Sequence, residues 1–221
     1  PATGNPISST VTITIDLEAE GLLPTCLIIF DHNFTSTAQI TLAGSSNNFQ
    51  TSPPVNMSVP RRASAIVFYF TQVSQRYWRL SILDTANTAG YLRISELFLG
   101  TYVETNRSFE LGDIRRVERI GPRERMLSGR FFGGLNAEIR SFDLQFARLS
   151  DALRSSLQTL YQALNDVTNR KVKPVFFQAD AADAATLFLC EWTSSFSPQG
   201  ERDAKRRSML PVTLVEIPRT V

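Results

Sequence analysis

The chain has 221 residues, of which 43% are hydrophobic and 20% are charged, and this ordinary usage excludes disordered, collagen-like and disulfide-scaffold classes. Lysine and arginine total 23 against 21 aspartate and glutamate residues, so the net charge of +2 does not by itself indicate binding to nucleic acid or to an anionic membrane. One histidine and two cysteines make an enzyme or a metalloprotein the weaker expectation, because most zinc sites need several such ligands to converge. No run approaches the ~20 consecutive apolar residues of a membrane-spanning helix.

The N-terminal half carries the patterns of β-strands separated by polar turns. Residues 11–17 alternate apolar with polar side chains, which predicts a strand with one buried face. Continuous apolar runs at 27–30 and 66–70 predict strands that are covered on both faces. Residues 44–48 and 51–56 are rich in glycine, serine, asparagine and proline, and are predicted to form surface loops.

Residues 76–100 give the clearest pattern in this half. A strand with its apolar residues on one face leads into a polar turn at 84–90. A second strand is predicted over 91–99, and its apolar residues change phase around Ser95, which indicates a β-bulge. Antiparallel strands with irregular loops and almost no helical period predict a jelly-roll β-sandwich.

The C-terminal half contains an amphipathic helix between strands. Its apolar stripe recurs at helical spacing, at Leu149, Leu153, Leu157, Leu160, Tyr161, Leu164 and Val167. The helix is predicted over 151–168, with Ser150 as the N-cap and Asp151 in the positive first turn, and with Pro174 beyond its end. Strands are predicted on both sides of it, at 138–146, 175–177, 186–192 and 212–217.

The predicted fold class is therefore mainly β, in two domains. A jelly-roll β-sandwich over residues 1–101 is followed by a β-rich α+β domain with one amphipathic helix over residues 102–221. Cys26 and Cys190 fall in different domains on this division, and both are predicted to be small buried hydrophobes, with a mutual disulfide left open.

Residues that could carry chemistry are sparse. Asp31 and His32 form the one place where the histidine adjoins a carboxylate, as a general base requires. Neighbours in a strand face opposite sides, so His32 is predicted to be a hydrogen-bonded structural residue at a strand end. The sequence has neither a GxSxG nucleophile elbow nor a glycine-rich phosphate loop. No catalytic residue, cofactor-binding residue or metal ligand is assigned, and the chain is not expected to be an enzyme.

A basic run with interleaved acidic residues is predicted to form a loop in the second domain. Its arginines are Arg115, Arg116, Arg119, Arg123 and Arg125. One interpretation is a solvated or mutually paired loop. The other is a subunit-contact loop, or the lining of an anionic conduit, because arginine forks bind carboxylates and phosphates. On this second interpretation, deleting 115–125 should leave the fold intact and block assembly. The basic segment 202–207 and the glycine-rich segment 129–134 are further candidate contact loops.

Two aromatic residues raise a different hypothesis. Trp78 and Tyr91 could form a platform for a sugar, because aromatic rings bind the C–H face of a pyranose. Both residues fall in predicted strands and not in loops. Packing in the core is therefore the favoured interpretation of both side chains.

The segments LIIFDHNFTSTAQITLAGS (27–45) and RYWRLSILDTANTAGYLRISELFLG (76–100) carry a family resemblance. His32-Asn33 at a strand end, then Tyr77 to Leu80 with Asp84, then Tyr91 to Gly100, occur in the order of the corresponding motifs in the discoidin or galactose-binding-like jelly roll of bacteriophage tail proteins. The resemblance implies that these residues serve the fold, so nothing catalytic carries over. The chain departs from the family in lacking the early strands and the tryptophan expected upstream of Val11.

The second domain resembles the hub part of tail-tip ring proteins of long-tailed phages, with a strand, a helix and strands that end in VTLVEI (212–217). The resemblance implies a structural virion protein, made in the bacterial host cytoplasm, that forms a homo-oligomeric and hexameric ring. Such a ring joins the tail tube to the other tail-tip proteins that recognise the host. The alternative is a carbohydrate-binding module that contacts surface glycans through loops 45–56 or 84–90, although neither loop carries a cluster of tryptophan or tyrosine.

Overall fold

A computed structural model describes residues 9–18, 23–105, 114–120, 123–125, 131–133, 137–147, 150–166, 171–180, 182–196 and 209–217. In these residues the protein is mainly antiparallel β with one α-helix, which confirms the predicted fold class at that level. The chain divides into two compact units. The first is Pro1–Tyr102 with Asp180–Thr186, and the second is Val103–Ala179 with Leu187–Val221.

The first unit contains seven strands, and its two sheets have the orders β1-β6-β3-β4 and β5-β2-β7. The strands are β1 (Val11–Asp16), β2 (Cys26–His32), β3 (Gln39–Ser45), β4 (Val55–Ser58), β5 (Ile66–Tyr69), β6 (Tyr77–Leu83) and β7 (Ile94–Gly100). All of their pairings are antiparallel. Because alternate side chains of a strand face opposite sides, each sheet turns one apolar face inward.

One hydrophobic core joins the two sheets of this unit into a sandwich. Leu27 and Ile29 of β2 belong to the same buried cluster as Leu42 of β3 and Leu80 of β6. Trp78 lies at the centre of this cluster with no exposed surface, which confirms its predicted place in the core. The sandwich is confirmed at this level, and the jelly-roll identity of the unit stays a prediction.

Strand β4 corrects the loop that was predicted over 51–56. Val55 to Ser58 pair with Gly44 to Thr41 of β3, and Val55 and Met57 pack against the core. The prolines just before Val55 suggested a loop, but proline is tolerated at the start of an edge strand, where no ladder bond is lost.

The bulge predicted near Ser95 is also wrong. The β2–β7 register is unchanged on both sides of this point, with Ile29 opposite Leu97 and His32 opposite Ile94, so no residue is inserted. The irregularity lies instead at Asp31, whose φ is 50° and which forms no ladder pair with Ser95. An aspartate in this left-handed region changes the phase of the side chains without lengthening a strand.

The second unit contains a five-stranded antiparallel sheet of order β14-β15-β16-β11-β8, two two-stranded sheets and a helix. The elements are β8 (Ile114–Ile120), β9 (Arg123–Arg125), β10 (Phe131–Gly133), β11 (Ala137–Ala147), α1 (Asp151–Leu164), β12 (Asn165–Asp166), β13 (Lys171–Val172), β14 (Val175–Gln178), β15 (Leu187–Trp192) and β16 (Met209–Glu216). A single 3₁₀ turn, Ala184–Thr186, precedes β15 and is grouped with the first unit.

The core of the second unit forms between α1 and one face of the five-stranded sheet. Phe142, Leu144 and Phe146 are buried on one face of β11, as their alternation predicted. The apolar stripe of α1 contributes Leu157 and Leu164 to the same cluster. Cys190 of β15 is buried in this cluster and Cys26 is buried in the first unit, and both are free thiols, which confirms their predicted role as small buried hydrophobes.

The helix begins as predicted and ends four residues early. Ser150 is the N-cap, and its side chain accepts a hydrogen bond from the backbone N–H of Leu153 at 3.2 Å. At the other end, Asn165 leaves the helical conformation, and both its backbone N–H and its Nδ2 bond to the carbonyl oxygen of Tyr161. The predicted end at 168 was wrong because β12 pairs with β13 there, and Lys173 N–H bonds to the carbonyl of Leu164. Asparagine favours such exits because its side chain competes for backbone hydrogen bonds.

Replacing the N-cap tests how much α1 depends on it. Ser150→Ala should lower the free energy of unfolding by about 1 kcal/mol, since the N–H of Leu153 loses its acceptor. The measurement is urea denaturation followed by circular dichroism. Ser155→Ala, at an exposed position inside the helix, is the matched control and should be neutral or slightly stabilising. Equal losses in the two variants would contradict the capping role.

Candidate functional site

The residues of the family resemblance meet in a polar cluster at one end of the first unit. Asp84 follows β6 and its side chain is fully buried. Its carboxylate accepts hydrogen bonds from the backbone N–H of Thr35, at 2.8 Å, and from the Thr35 hydroxyl. A buried carboxylate without such donors would be strongly destabilising. Asp84 therefore ties the turn after β2 to the end of β6.

Asn87 completes the link between these two loops. It is 3% exposed, and its Nδ2 donates to the carbonyl of Asn33 at 3.2 Å and to the Asp84 carboxylate at 3.5 Å. Its Oδ1 accepts from the N–H of Ala89 at 2.9 Å, which shapes the 84–90 turn. Sequence reasoning missed both Thr35 and Asn87. The available signal was that Asp, Asn and Thr side chains in loops next to apolar strands tend to bond to backbone groups.

Asn33 takes the place of a strand partner for the chain before β7. Its Oδ1 accepts from the N–H of Arg93 at 2.7 Å, and its Nδ2 donates to the carbonyl of Tyr91 at 2.9 Å. Because this side chain bonds the backbone there, the strand starts only at Ile94, later than predicted. Tyr91 then lies outside the strand with 60% of its surface exposed, so its predicted core position was wrong.

Asp31 and His32 do not orient each other. The Asp31 carboxylate bonds to Arg93 at 3.1 Å and to the Ser95 hydroxyl at 2.7 Å. The His32 ring stacks on Phe34 with centroids 4.4 Å apart, and its Nδ1 accepts from the N–H of Phe34 at 3.2 Å. Burial of the imidazole and the positive charge of Arg61 hold the pKa of His32 below its ordinary value. The geometry is that of a structural histidine at the end of β2.

The second loop proposed for glycan contact is also held by internal bonds. Ser45 Oγ accepts from the N–H groups of Asn47 and Phe49 at 3.2 and 3.0 Å, and Asn47 Nδ2 donates to Thr51 at 2.9 Å. The guanidinium of Arg79 lies over the Phe49 ring at 3.8 Å. These contacts leave the polar groups of the loop engaged with one another.

The described residues offer little reactive chemistry. Within them, no group of three or more His, Cys, Asp or Glu side chains is placed to hold a metal ion. Burial raises the pKa of both Cys26 and Cys190 to about 12, so neither thiol is a ready nucleophile near neutral pH. In the part of the chain that the structure covers, no helix is both long and apolar enough to span a membrane.

The arginine run is strand and not loop, which corrects the predicted contact loop. Arg115, Arg116 and Arg119 belong to β8, the edge strand that pairs with β11, whereas Arg123 and Arg125 belong to β9, which pairs with β10. Deleting the run would therefore remove two strands, so the expectation of an intact fold was wrong. Of the glycine-rich segment 129–134, only 131–133 is described, as β10, and the basic segment 202–207 lies outside the described residues.

Within β8 the structure describes two side chains, and both face solvent. Arg116 has a side chain that is 66% exposed, with its guanidinium 3.7 Å from the carboxylate of Asp143 on β11. Val117 is 56% exposed, an unusual setting for a β-branched apolar residue. The arginines that the sequence singled out are thus divided between two small sheets, and the structure leaves their role in subunit contact untested.

Removing the Asp84 carboxylate should unfold the first unit more easily. Asp84→Ala leaves the N–H and hydroxyl of Thr35 and the Asn87 amide without their acceptor, so the free energy of unfolding should fall by about 2 to 4 kcal/mol. Glu96→Ala, an exposed carboxylate on β7, should change it by less than about 0.5 kcal/mol. Urea denaturation of both variants, followed by tryptophan fluorescence, makes the comparison, and similar small losses would show that the cluster is dispensable.

Stability should also fall in mild acid because of His32. Its folded-state pKa lies below the ordinary 6.5, so the unfolded chain takes up a proton first as the pH drops. Stability is then full above that value and declines below it until the folded-state pKa is passed. His32→Asn keeps an acceptor near the Phe34 N–H and cannot titrate. Since His32 is the single histidine, denaturation between about pH 7.5 and 5.5 should show a slope that the variant lacks. The same slope in both proteins would count against this assignment.

Comparison with known proteins comes after this geometry. Neither a protein-family model nor a curated protein sequence matches the chain. The chemistry of the cluster and of β8 is therefore argued from the contacts of their own residues.

Proposed function

We propose that the protein is a structural component of a long-tailed bacteriophage virion, a tail-tip ring subunit that connects the tail tube to the host-recognition apparatus. The proposal starts from the resemblance of residues 27–45 and 76–100 to the jelly roll of phage tail proteins. It places the chain in the virion tail tip, with copies of itself, tail-tube protein and other tail-tip proteins as partners. Six-fold symmetry enters through the resemblance alone.

The observation that carries the proposal is the internal use of the motif residues. Asn33 and Asp84 each bond to loop backbone, and the buried Asp84 carboxylate faces Thr35 and Asn87, with no exposed surface. A catalytic acid or base must reach a substrate, and a sugar-binding residue must present its hydrogen-bonding groups to one. Groups that are engaged inside the fold suit a rigid scaffold, and no enzymatic activity is proposed.

The second unit adds an edge suited to assembly. Among the described strands, none pairs with the outer side of β8, and Val117 and Arg116 are exposed on it. Edge strands present unpaired backbone donors and acceptors that another chain can pair with. Such an edge supports a protein whose role is to contact other subunits.

A glycan-binding module is the second candidate, and Tyr91 is the observation that favours it. The ring is 60% exposed and lies next to the 84–90 turn, where a sugar could stack on it. Its proposed companion Trp78 is fully buried, so the two rings form no platform together. A single exposed ring is consistent with at most a weak glycan contact.

The mass of the purified protein separates the two candidates. Light scattering and negative-stain images, with and without tail-tube protein, should show closed rings, either alone or on addition of the tube protein. A glycan array serves as the second arm and should stay silent. A monomer that ignores the tube protein would contradict the proposal. Glycan binding lost in Tyr91→Ala and kept in Tyr102→Ala, a tyrosine with 47% exposure, would favour the alternative.

A further inference from the structure

The edge strand β8 has a sequence that is complementary to itself. It reads IRRVERI from Ile114 to Ile120, with Val117 at its centre. If a second copy of the strand ran antiparallel to it with Val117 opposite Val117, Arg116 would face Glu118 twice, and Ile114 would face Ile120 twice. Opposite charges and β-branched residues directly across from each other are favourable cross-strand pairs.

We infer that β8 pairs with the β8 strand of a second copy of this chain, in antiparallel register about Val117. The partner is identified by charge complementarity and by the exposed edge. Arg116 and Val117 are 66% exposed in the side chain and 56% exposed overall, although they sit on a strand of the central sheet. Pairing would bury the Val117 side chains against each other and join the two five-stranded sheets into one.

The face on which each side chain lies selects the register. A two-fold axis perpendicular to the sheet keeps the helix-bearing faces of both copies on one side, so residues of the same face must oppose each other. Three such registers keep the middle of the strand paired. The register about Val117 opposes arginine to glutamate. A shift by two residues would oppose either Arg116 or Glu118 to its own copy, and like charges directly opposite are destabilising.

The neighbouring strand β11 supports the charge balance of this register. Arg116 already lies 3.7 Å from Asp143, and a guanidinium has enough donors to bond a second carboxylate as well. On the other face the same register opposes Arg115 to Arg119. Glu138 of β11 is the register partner of Arg119, so an acidic residue lies next to this arginine pair.

The contact differs from the ring contact of the proposed function. A two-fold pairing joins two copies and closes on itself, whereas a ring needs a second, different interface. The inference requires that the chain associate with itself and does not require that it belong to a phage tail. It changes the role of the arginine run from a contact loop to a paired edge.

Cysteine cross-linking tests the register directly. In Val117→Cys the two thiols would face each other across the axis, and directly opposed residues of antiparallel strands have Cα atoms about 4.5 to 5.5 Å apart, within reach of a disulfide. Mild oxidation of the full chain should give a disulfide-linked dimer. Val172→Cys is the matched control, because it replaces a valine of similar exposure, 48%, in the same unit. Wild-type protein, whose cysteines are buried, sets the background.

A charge swap tests the pairing independently of any disulfide. Arg116→Glu or Glu118→Arg alone should weaken dimerisation by about tenfold or more, since each creates two like-charged pairs. The double variant exchanges the charges and should recover most of the wild-type affinity in sedimentation velocity. Arg154→Glu is the control, since this exposed arginine has one carboxylate neighbour, Asp151, at 3.5 Å. Circular dichroism confirms that each variant is folded.

The outcomes separate this inference from the proposed function. A selective Val117→Cys dimer together with rescue by the double variant supports the β8 contact. Equal cross-linking of the Val172→Cys control, or a double variant as weak as the single ones, overturns it. If the β8 contact holds and tail-tube protein never yields rings, the tail-tip proposal fails alone. Rings that form without cross-linking at Val117 give the reverse result.

Discussion

The buried carboxylate of Asp84 is the constraint on which the first unit depends. A carboxyl group removed from water must find donors, and Asp84 finds them in Thr35 and Asn87, two loops apart in the sequence. Asn87 and Asn33 extend the bonding to the backbone on both sides, so the turn after β2, the turn after β6 and the approach to β7 hold one arrangement. The strands supply the apolar core, and this cluster sets how their ends are joined.

The second unit uses a related device at a different place. Glu216 at the end of β16 is only 10% exposed in its side chain, and it accepts bonds from the backbone N–H and the guanidinium of Arg140 on β11 at 3.3 and 3.4 Å. The Arg140 guanidinium also lies 5.3 Å from the Phe188 ring centre. Because a buried ion pair needs good geometry to offset its desolvation, this pair favours one register between the two strands. The same sheet ends at β8, where charged residues remain exposed.

Polar residues therefore have opposite roles in the two regions considered for function. Around Asp84 they bond within one unit and leave little to offer a ligand. On β8 the described ones face outward, and the strand edge is a natural place for another chain to pair. This contrast links rigidity in the first unit to association through the second. It is the physical basis for treating the protein as an assembly component.

The sequence by itself determined the elements whose signal is local. Periodicity located the strands around Trp78 and Phe142 and the start of α1 at Ser150, because alternation and capping depend on neighbours in the chain. Only the tertiary structure decided where long-range partners intervene. Asn33 delays β7 and exposes Tyr91, and β11 turns the arginine run into a strand, since each partner lies far away in sequence. The Asp84 cluster was visible as a motif, but its donors Thr35 and Asn87 depend on loops that meet only in the folded chain.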